Sequence, residues 1–398
     1  MEKNPGHYFM TWTKQESALS IPLDRMDQFH FFYKKQKWLD LSSISYQASF
    51  GHKNKIITRA MNEQMKAFSL ASPKHIFSLK NIVSKKLLLK AGKIHDYKCF
   101  YTQSGSEGIE NALKMARQIS GRPIVLSLKS SYHGATMGAL SVTGDWRNKN
   151  HLLPNQWRKY LPDPQKDPNG EKLESFFQKI RPEKVAAVCL ESITGGNGVF
   201  SPTKKWWNKL KKLMKKHEIK LILDEVVCAP HRTGPFFGFQ NLTGVKADFI
   251  VMAKAISGGY FPIGCLLVSK KLAQHYDKNV LSCGLTNYAH PIGLSAINAV
   301  LDLVSQKEFL IKKNNNEKIL SDFIKNGLNQ NKVSASRRFG MLAAIDIKNK
   351  KLKQEDFLKK GIFIAVQNNR LILAPPLNIG TKLLQNGLCL LGKIIDDN

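Results

Sequence analysis

KLILDEVVCAPHRTGPFFGFQNLTGVKADFIVMAKAISGGYFPIG, residues 220–264, holds two short apolar runs with strand character. Leu221-Ile222-Leu223 is closed by the acidic pair Asp224-Glu225, and Phe249-Ile250-Val251-Met252 is closed by Ala253-Lys254. Aliphatic runs with no polar alternation predict strands buried on both faces, as in a parallel sheet covered by helices. Open α/β sheets carry their sites at the carboxyl ends of such strands. Asp224 and Lys254 are then an acid and an amine, on two strand ends, that could face one molecule.

Working outward, the pattern repeats. KCFYTQ from Tyr97 is a strand, SGSEG a tight turn, and IENALKMARQIS a helix with Ile109, Leu113 and Ala116 on one face. PIVLSLKSSYHGATMGALSVTG starts a second unit, and KVAAVCL (184–190) is a buried strand ending in Glu191 and a glycine-rich turn. Pro202–Glu218 is a basic helix, and a further helix begins near Pro291. Repeated strand–loop–helix units predict an α/β domain with a mainly parallel sheet and right-handed crossovers. After about residue 305 a charged helix and the strand-like GMLAAIDI and GIFIAVQNNRLILAPPL predict a smaller α+β lobe. We divide the chain into 1–60, a segment joining the small lobe that is aromatic and irregular to about residue 35 and then carries the short strand KWLDLSS, 61–300, the large domain, and 301–398, the small one. Rings as dense as Tyr8, Phe9 and Trp12 argue that the first segment packs on the body or on a partner.

A chain of 398 residues with 42% hydrophobic content has ample length for a core. Its net charge of +31 comes from lysines spread along the chain without a basic-aromatic module, so no nucleic-acid partner is expected. Within Pro202–Glu218, Trp206, Leu210, Leu213 and Met214 share a face that reads as core rather than as a membrane-surface stripe. The six cysteines have no metal spacing, and several lie in apolar runs, which suits reduced thiols. No metal site and no membrane span is expected, nor a signal segment, and the expected compartment is the cytoplasm.

A pyridine cofactor with an aldehyde needs both strand-end groups. The amine forms a Schiff base with the aldehyde, and the carboxylate keeps the ring nitrogen protonated. The plainer reading makes Asp224 a cap or surface ion-pair partner and Lys254 one lysine among many. Ser104–Gly108 suits a phosphate cradle at a helix N-terminus, though serine and glycine also simply cap helices. Tyr132, in SYHG, offers a flat face for a pyridine ring, while Tyr132 and His133 equally fit ordinary loop packing. Glu191 could face a cofactor, a substrate amine or a structural cation.

Together, KWLDLSS…GH, QSGSEGIENALKMAR, SSYHGATMGALSVTG, VCLESITGGNG, LILDEVVCAPHRTGPFF, ADFIVMAKAISGGYFPIG, CGLTNYAHPIG and LILAPPL resemble the class III pyridoxal-phosphate aminotransferases of fold type I. The likeness spans roughly residues 36 to 378 and implies a mainly parallel seven-stranded sheet with flanking helices. It further implies that Lys254 is the Schiff-base lysine and proton shuttle, and that Asp224 binds the ring nitrogen. Val226 and Tyr132 would hold the two ring faces, Gly105 and Ser106 the phosphate, with His133 and Glu191 beside the cofactor. Thr286 would reach the phosphate of a neighbouring subunit in a homodimer with shared sites. Arg232 would be structural or close to the site.

This sequence departs from the family in three places. Val227 stands where many members have a glutamine that hydrogen-bonds the cofactor, APH replaces a glycine-containing segment before Arg232, and Ala365-Val366 falls where many carry a carboxylate-binding arginine. Arg370, close by, and Trp12 are the substrate candidates. The implied activity is ping-pong transfer of an amino group from an ω-amino acid, diamine or other primary amine to an oxo-acid. An aminomutase or decarboxylase on the same scaffold, or a non-catalytic nucleic-acid-binding protein, are the alternatives.

Overall fold

Successive residues of a buried strand face opposite sides of a sheet, and here each side meets its own helices. In Lys220–Asp224, Leu221 and Leu223 join one core while Ile222 joins another. The first is closed by helices Lys55–Ala67, Ser78–Ala91, Lys204–Lys216 and Pro291–Ser305, the second by Gly105–Ser120 and Met137–Val142. The computed structural model describes residues 2–3, 6–242 and 244–397.

The central sheet has seven strands in the spatial order Tyr97–Thr102, Gly264–Ser269, Phe249–Met252, Lys220–Asp224, Val185–Glu191, Ile124–Ser127, Arg158–Tyr160. All pair in parallel except Gly264–Ser269, which runs antiparallel to both neighbours. The sheet is thus mixed and mostly parallel. Every residue of Val185–Glu191 and Phe249–Met252 is buried, as their unbroken apolar runs predict. The edge strand Arg158–Tyr160 is not legible in the sequence, because RKY has no apolar run and pairs on one side alone.

In helix Lys204–Lys216, Trp206, Trp207, Leu210 and Met214 are buried, while Leu213 packs only partly against the core. The lysines between them remain outward. Burying a side chain such as Leu210 stabilises the fold by about 2 kcal/mol, and the face packs in the core beside Leu221 and Leu223 of the sheet. No helix of the described residues is long and apolar enough to cross a membrane.

The smaller lobe carries an antiparallel sheet in the order Val333–Phe339, Leu342–Ile347, Arg370–Leu373, Ala365–Gln367. Beside it the N-terminal strands Arg25–Met26, His30–Tyr33 and Gln36–Asp40 form a sheet completed by Ile362–Phe363, with Leu39 opposite Ile362. The part up to about residue 35, which reads as irregular, therefore contains the strands Arg25–Met26 and His30–Tyr33, while Gln36–Asp40 falls on KWLDLSS, which reads as a strand. Before them, Tyr8 and Phe9 stand 64% and 87% exposed on this chain. The charged helix is continuous over Lys307–Asn326, without interruption at its asparagines.

Arg232 ties the lobes together. It is fully buried, and its Nη1 donates to the carbonyls of Met341 (3.0 Å) and Pro375 (2.6 Å). Its Nη2 donates to Ser43 Oγ (3.2 Å) and Ser49 Oγ (2.8 Å). Burial lowers its pKa to about 10, so the guanidinium stays charged at neutral pH.

Candidate active site

The strand pairing brings the acids and the amine together. Asp224 stands opposite Glu191 on one side and Val251 on the other, and Lys254 follows two residues after the Phe249–Met252 strand. Lys254 has φ 49°, a left-handed conformation rarely adopted by a residue with a side chain. Such strain collects at functional sites, where surrounding structure holds it. Together these strand ends floor a cavity of about 620 Å³, within the size range of small-molecule sites.

Asp224 is buried and paired. Its Oδ1 accepts the Val226 amide at 3.0 Å, and its Oδ2 lies 2.8 Å from His133 Nδ1. Burial opposes charge on His133, yet its pKa stands well above the ordinary histidine value. Among the groups that favour the charge, Cys189 is itself raised by burial and stays a neutral thiol, which leaves the Asp224 carboxylate as the effective cause. His133 Nε2 is buried with no hydrogen-bond partner among the described residues.

Burial raises the pKa of Glu191 to about 7, opposed by His133 and augmented by Asp224. Its carboxylate accepts the amides of Tyr132 (3.4 Å) and Gly195 (2.8 Å). Glu225, next to Asp224 in sequence, points the other way. It accepts from the Gly238 and Phe239 amides at 2.6 and 2.9 Å and from the Ser192 hydroxyl, and serves the packing of that loop. Burial lowers the pKa of Lys254, Arg147 adds to the effect, and Asp224 and Glu191 oppose it. The Nζ lies 5.4 Å from the centre of the Tyr46 ring and faces the cavity.

At one end of the cavity lies the N-terminus of helix Gly105–Ser120. Ser104 Oγ takes the Glu107 amide and Glu107 Oε2 takes the Gln103 amide, at 3.2 and 2.7 Å. The first-turn amides of Gly105 and Ser106 are then left for an anion. A Cβ on Gly105 would sit 2.7 Å from Val226 Cγ2, which makes glycine necessary there. Gly134, at φ 133°, is held equally close, since its Cβ would lie 2.4 Å from Ser106 Oγ.

Gly105, Ser106, Tyr132, His133, Glu191, Asp224, Val226 and Lys254 all line this one cavity, with Trp12 at its wall. Val227, without hydrogen-bonding capacity, lines it too. Thr286 is exposed and outside the lining of its own chain's cavity. Arg370 is also outside it: its Nε and Nη2 are bound to Asp346 at 2.6 and 3.2 Å, and Arg337 shares the same carboxylate. The reason is register, because Asp346 and Arg370 face each other across an antiparallel pair. Arg232 serves the lobe junction.

Tyr46, Gln367 and Arg147 are among the cavity residues that the sequence does not single out. Tyr46 belongs to a run of left-handed residues, Ser43 to Tyr46, in a serine-rich segment without periodicity. Gln367 comes from the small lobe. Arg147, in GDWRNKN, lies in a polar loop whose composition carries no signal of a site.

Comparison with known proteins gives a consistent result. The family model for class-III aminotransferases matches residues 33–395. The chain is 28% identical over 390 residues to the diaminobutyrate–2-oxoglutarate transaminase of Marinococcus halophilus, covering 91% of this chain and 88% of that protein. It is 30% identical over 362 residues to the acetylornithine aminotransferase of Clostridium acetobutylicum, covering 88% and 90%. Among solved structures, the taurine:2-oxoglutarate aminotransferase of Bifidobacterium kashiwanohense, in complex with PLP and glutamate, superposes with a TM-score of 0.90 at 28% identity, covering 98% of this chain and 95% of that one.

Proposed function

This chain belongs to the class-III aminotransferases, which are pyridoxal-phosphate enzymes, and we propose that it transfers the amino group of an ω-amino acid, diamine or other primary amine to an oxo-acid. The observation that carries the reading is the placement of Lys254 and Asp224 on neighbouring strand ends around one cavity. The residues also suit the cofactor's parts. Two free amides and the Ser106 hydroxyl answer a phosphate, the glycine contacts leave room for its approach, and Tyr132 and Val226 supply apolar faces for a ring.

When bound, pyridoxal phosphate supplies an aldehyde that condenses with amines and a ring that draws electrons from the bond being broken. The remaining work falls to the chain. Lys254, with its pKa lowered by burial, presents an unprotonated Nζ at a lower pH than a solvent lysine. With a donor bound, that Nζ would take the proton from the amine-bearing carbon and later return it. Asp224 would accept a hydrogen bond from the cofactor's ring nitrogen, and His133 Nδ1, 2.8 Å from its Oδ2, holds that carboxylate in place. Glu191, with its pKa of about 7, is poised between acid and anion beside the amine.

Thr286 supports a homodimer in which each site borrows from its partner, since it is exposed and away from its own cavity. Exposed Ile56, Met65, Phe68, Leu70 and Ile76 supply apolar surface for such an interface. Light scattering that gave a monomer would remove the shared-site reading.

The test of the activity is a half-reaction screen. Purified enzyme loaded with cofactor is mixed with single amines, and bleaching of its visible band is followed. An ω-amino acid or diamine should bleach the band and an oxo-acid should restore it. Donor consumption with release of carbon dioxide and no restoration by any oxo-acid would point instead to decarboxylation.

A further inference from the structure

We propose that Arg147 is the cation that grips the substrate's acid group, a specificity role that rests on the transaminase reading above. Among the described residues it is the one guanidinium lining the cavity. Arg370 cannot take this part while Asp346 occupies it.

The surroundings of Arg147 prepare it for an anion. Its guanidinium carbon stands 4.4 Å from the centre of the Tyr132 ring, 5.0 Å from Trp146 and 5.5 Å from Trp12. These rings fix the plane of the guanidinium, so little rotamer freedom remains to be lost when a carboxylate binds. Its Nη1 is paired with Asp145 Oδ2, and Asp145 Oδ1 accepts the Arg147 amide at 3.0 Å. Asn197 Nδ2 also donates to Asp145 Oδ2, at 3.2 Å, and thereby draws on the same carboxylate.

An arginine has five N–H donors. Among the described residues, neither Nε nor Nη2 of Arg147 has a hydrogen-bond partner, and neither is a sealed, unsatisfied atom. The side chain keeps 19% of its surface exposed. Its free donors therefore open toward solvent on the cavity side, and two of them, side by side, match a carboxylate or sulfonate. Arg147 is also close enough to lower the pKa of Lys254. Asp145 fixes where the charge sits, while the substrate's acid group occupies the donors that Asp145 leaves.

A residue that merely holds the Trp146 loop would affect all amines alike. An acid clamp sorts them. The experiment compares 4-aminobutyrate with butylamine, which share a carbon chain and differ by the acid group, in band-bleaching rates of the loaded enzyme and its Arg147→Gln and Arg147→Lys variants. The ratio of kcat/KM for the two amines should fall at least about tenfold in Arg147→Gln and by less in Arg147→Lys, since lysine keeps the charge without the planar fork. Intrinsic tryptophan fluorescence titrated with butyrate gives a second readout, because Trp12 and Trp146 flank the guanidinium. A saturable change in the parent protein should be lost in Arg147→Gln. An unchanged ratio, or undiminished butyrate binding, in a folded variant overturns the proposal. Should no amine bleach the parent, the transaminase reading fails while the butyrate titration still decides the role of Arg147.

Discussion

The floor and the wall of the cavity are built on different principles. The floor is the rim of one sheet: Asp224, Glu191 and Lys254 are fixed by strand register and by buried hydrogen bonds. The wall is assembled from segments far apart in the chain, with Trp12 from the N-terminus, Tyr46 and Arg147 from loops and Gln367 from the small lobe. Their relative positions depend on how the lobes meet, and there Arg232 bonds to both. A floor set by a single sheet suits the part of the chemistry that every substrate shares. A wall made of loops suits the part that distinguishes one substrate from another.

Floor variants should therefore damage every substrate alike. Lys254→Ala should lower turnover by at least about 10³-fold, the upper range for a positioned acid–base group. Borohydride should no longer fix the cofactor to the chain, which mass spectrometry of the intact protein would read. An adduct that remained reducible would place the reactive amine elsewhere. Asp224→Asn should cost about 10²-fold or more in turnover and weaken cofactor binding, with the same factor for all amines tried. A loss confined to one amine would move Asp224 from the floor's role to the wall's.

Arg232→Met tests the joint between the two. It leaves two carbonyls and two hydroxyls without their buried donor, so unfolding in urea should show a loss of about 3 kcal/mol or more. A loss below about 1 kcal/mol would mean that the wall's position does not depend on this residue.

The smallest effect concerns Glu191, whose pKa rises from 4.5 to about 7 on burial. The folded protein holds this proton more tightly than the unfolded chain, so the group's contribution is greatest below 4.5 and is lost as pH rises to about 7. Glu225, also raised to about 7, acts in the same window. In cofactor-stripped protein, Glu191→Gln should remove roughly half of the decline in stability over that range, measured by urea midpoints. An unaltered slope would show that Glu191 titrates normally, and would free it from the acid–base part assigned to the floor.

The residues explain which features could be read in advance. Leu221 to Asp224 and Phe249 to Lys254 carry their message locally, because an apolar run bounded by a charged residue is both a buried strand and a strand end. Gly264–Ser269 is as apolar as its neighbours, yet nothing in GCLLVS distinguishes an antiparallel partner from a parallel one. Arg370 reads as available in the sequence because its partner in the fold, Asp346, lies on another strand. Arg147 is not legible for the converse reason, as a polar segment gives no sign of what its side chains face.

By itself, then, the sequence determined the buried strands that end at Asp224 and two residues before Lys254, and the glycine turn that opens the helix at Gly105. These depend on short-range patterns of burial and on glycine geometry. Only the tertiary structure decided that His133 stands behind Asp224, that Asp346 engages Arg370, and that Arg147 faces the cavity. Such pairings arise from strand register and lobe contact, which join residues that no local pattern connects.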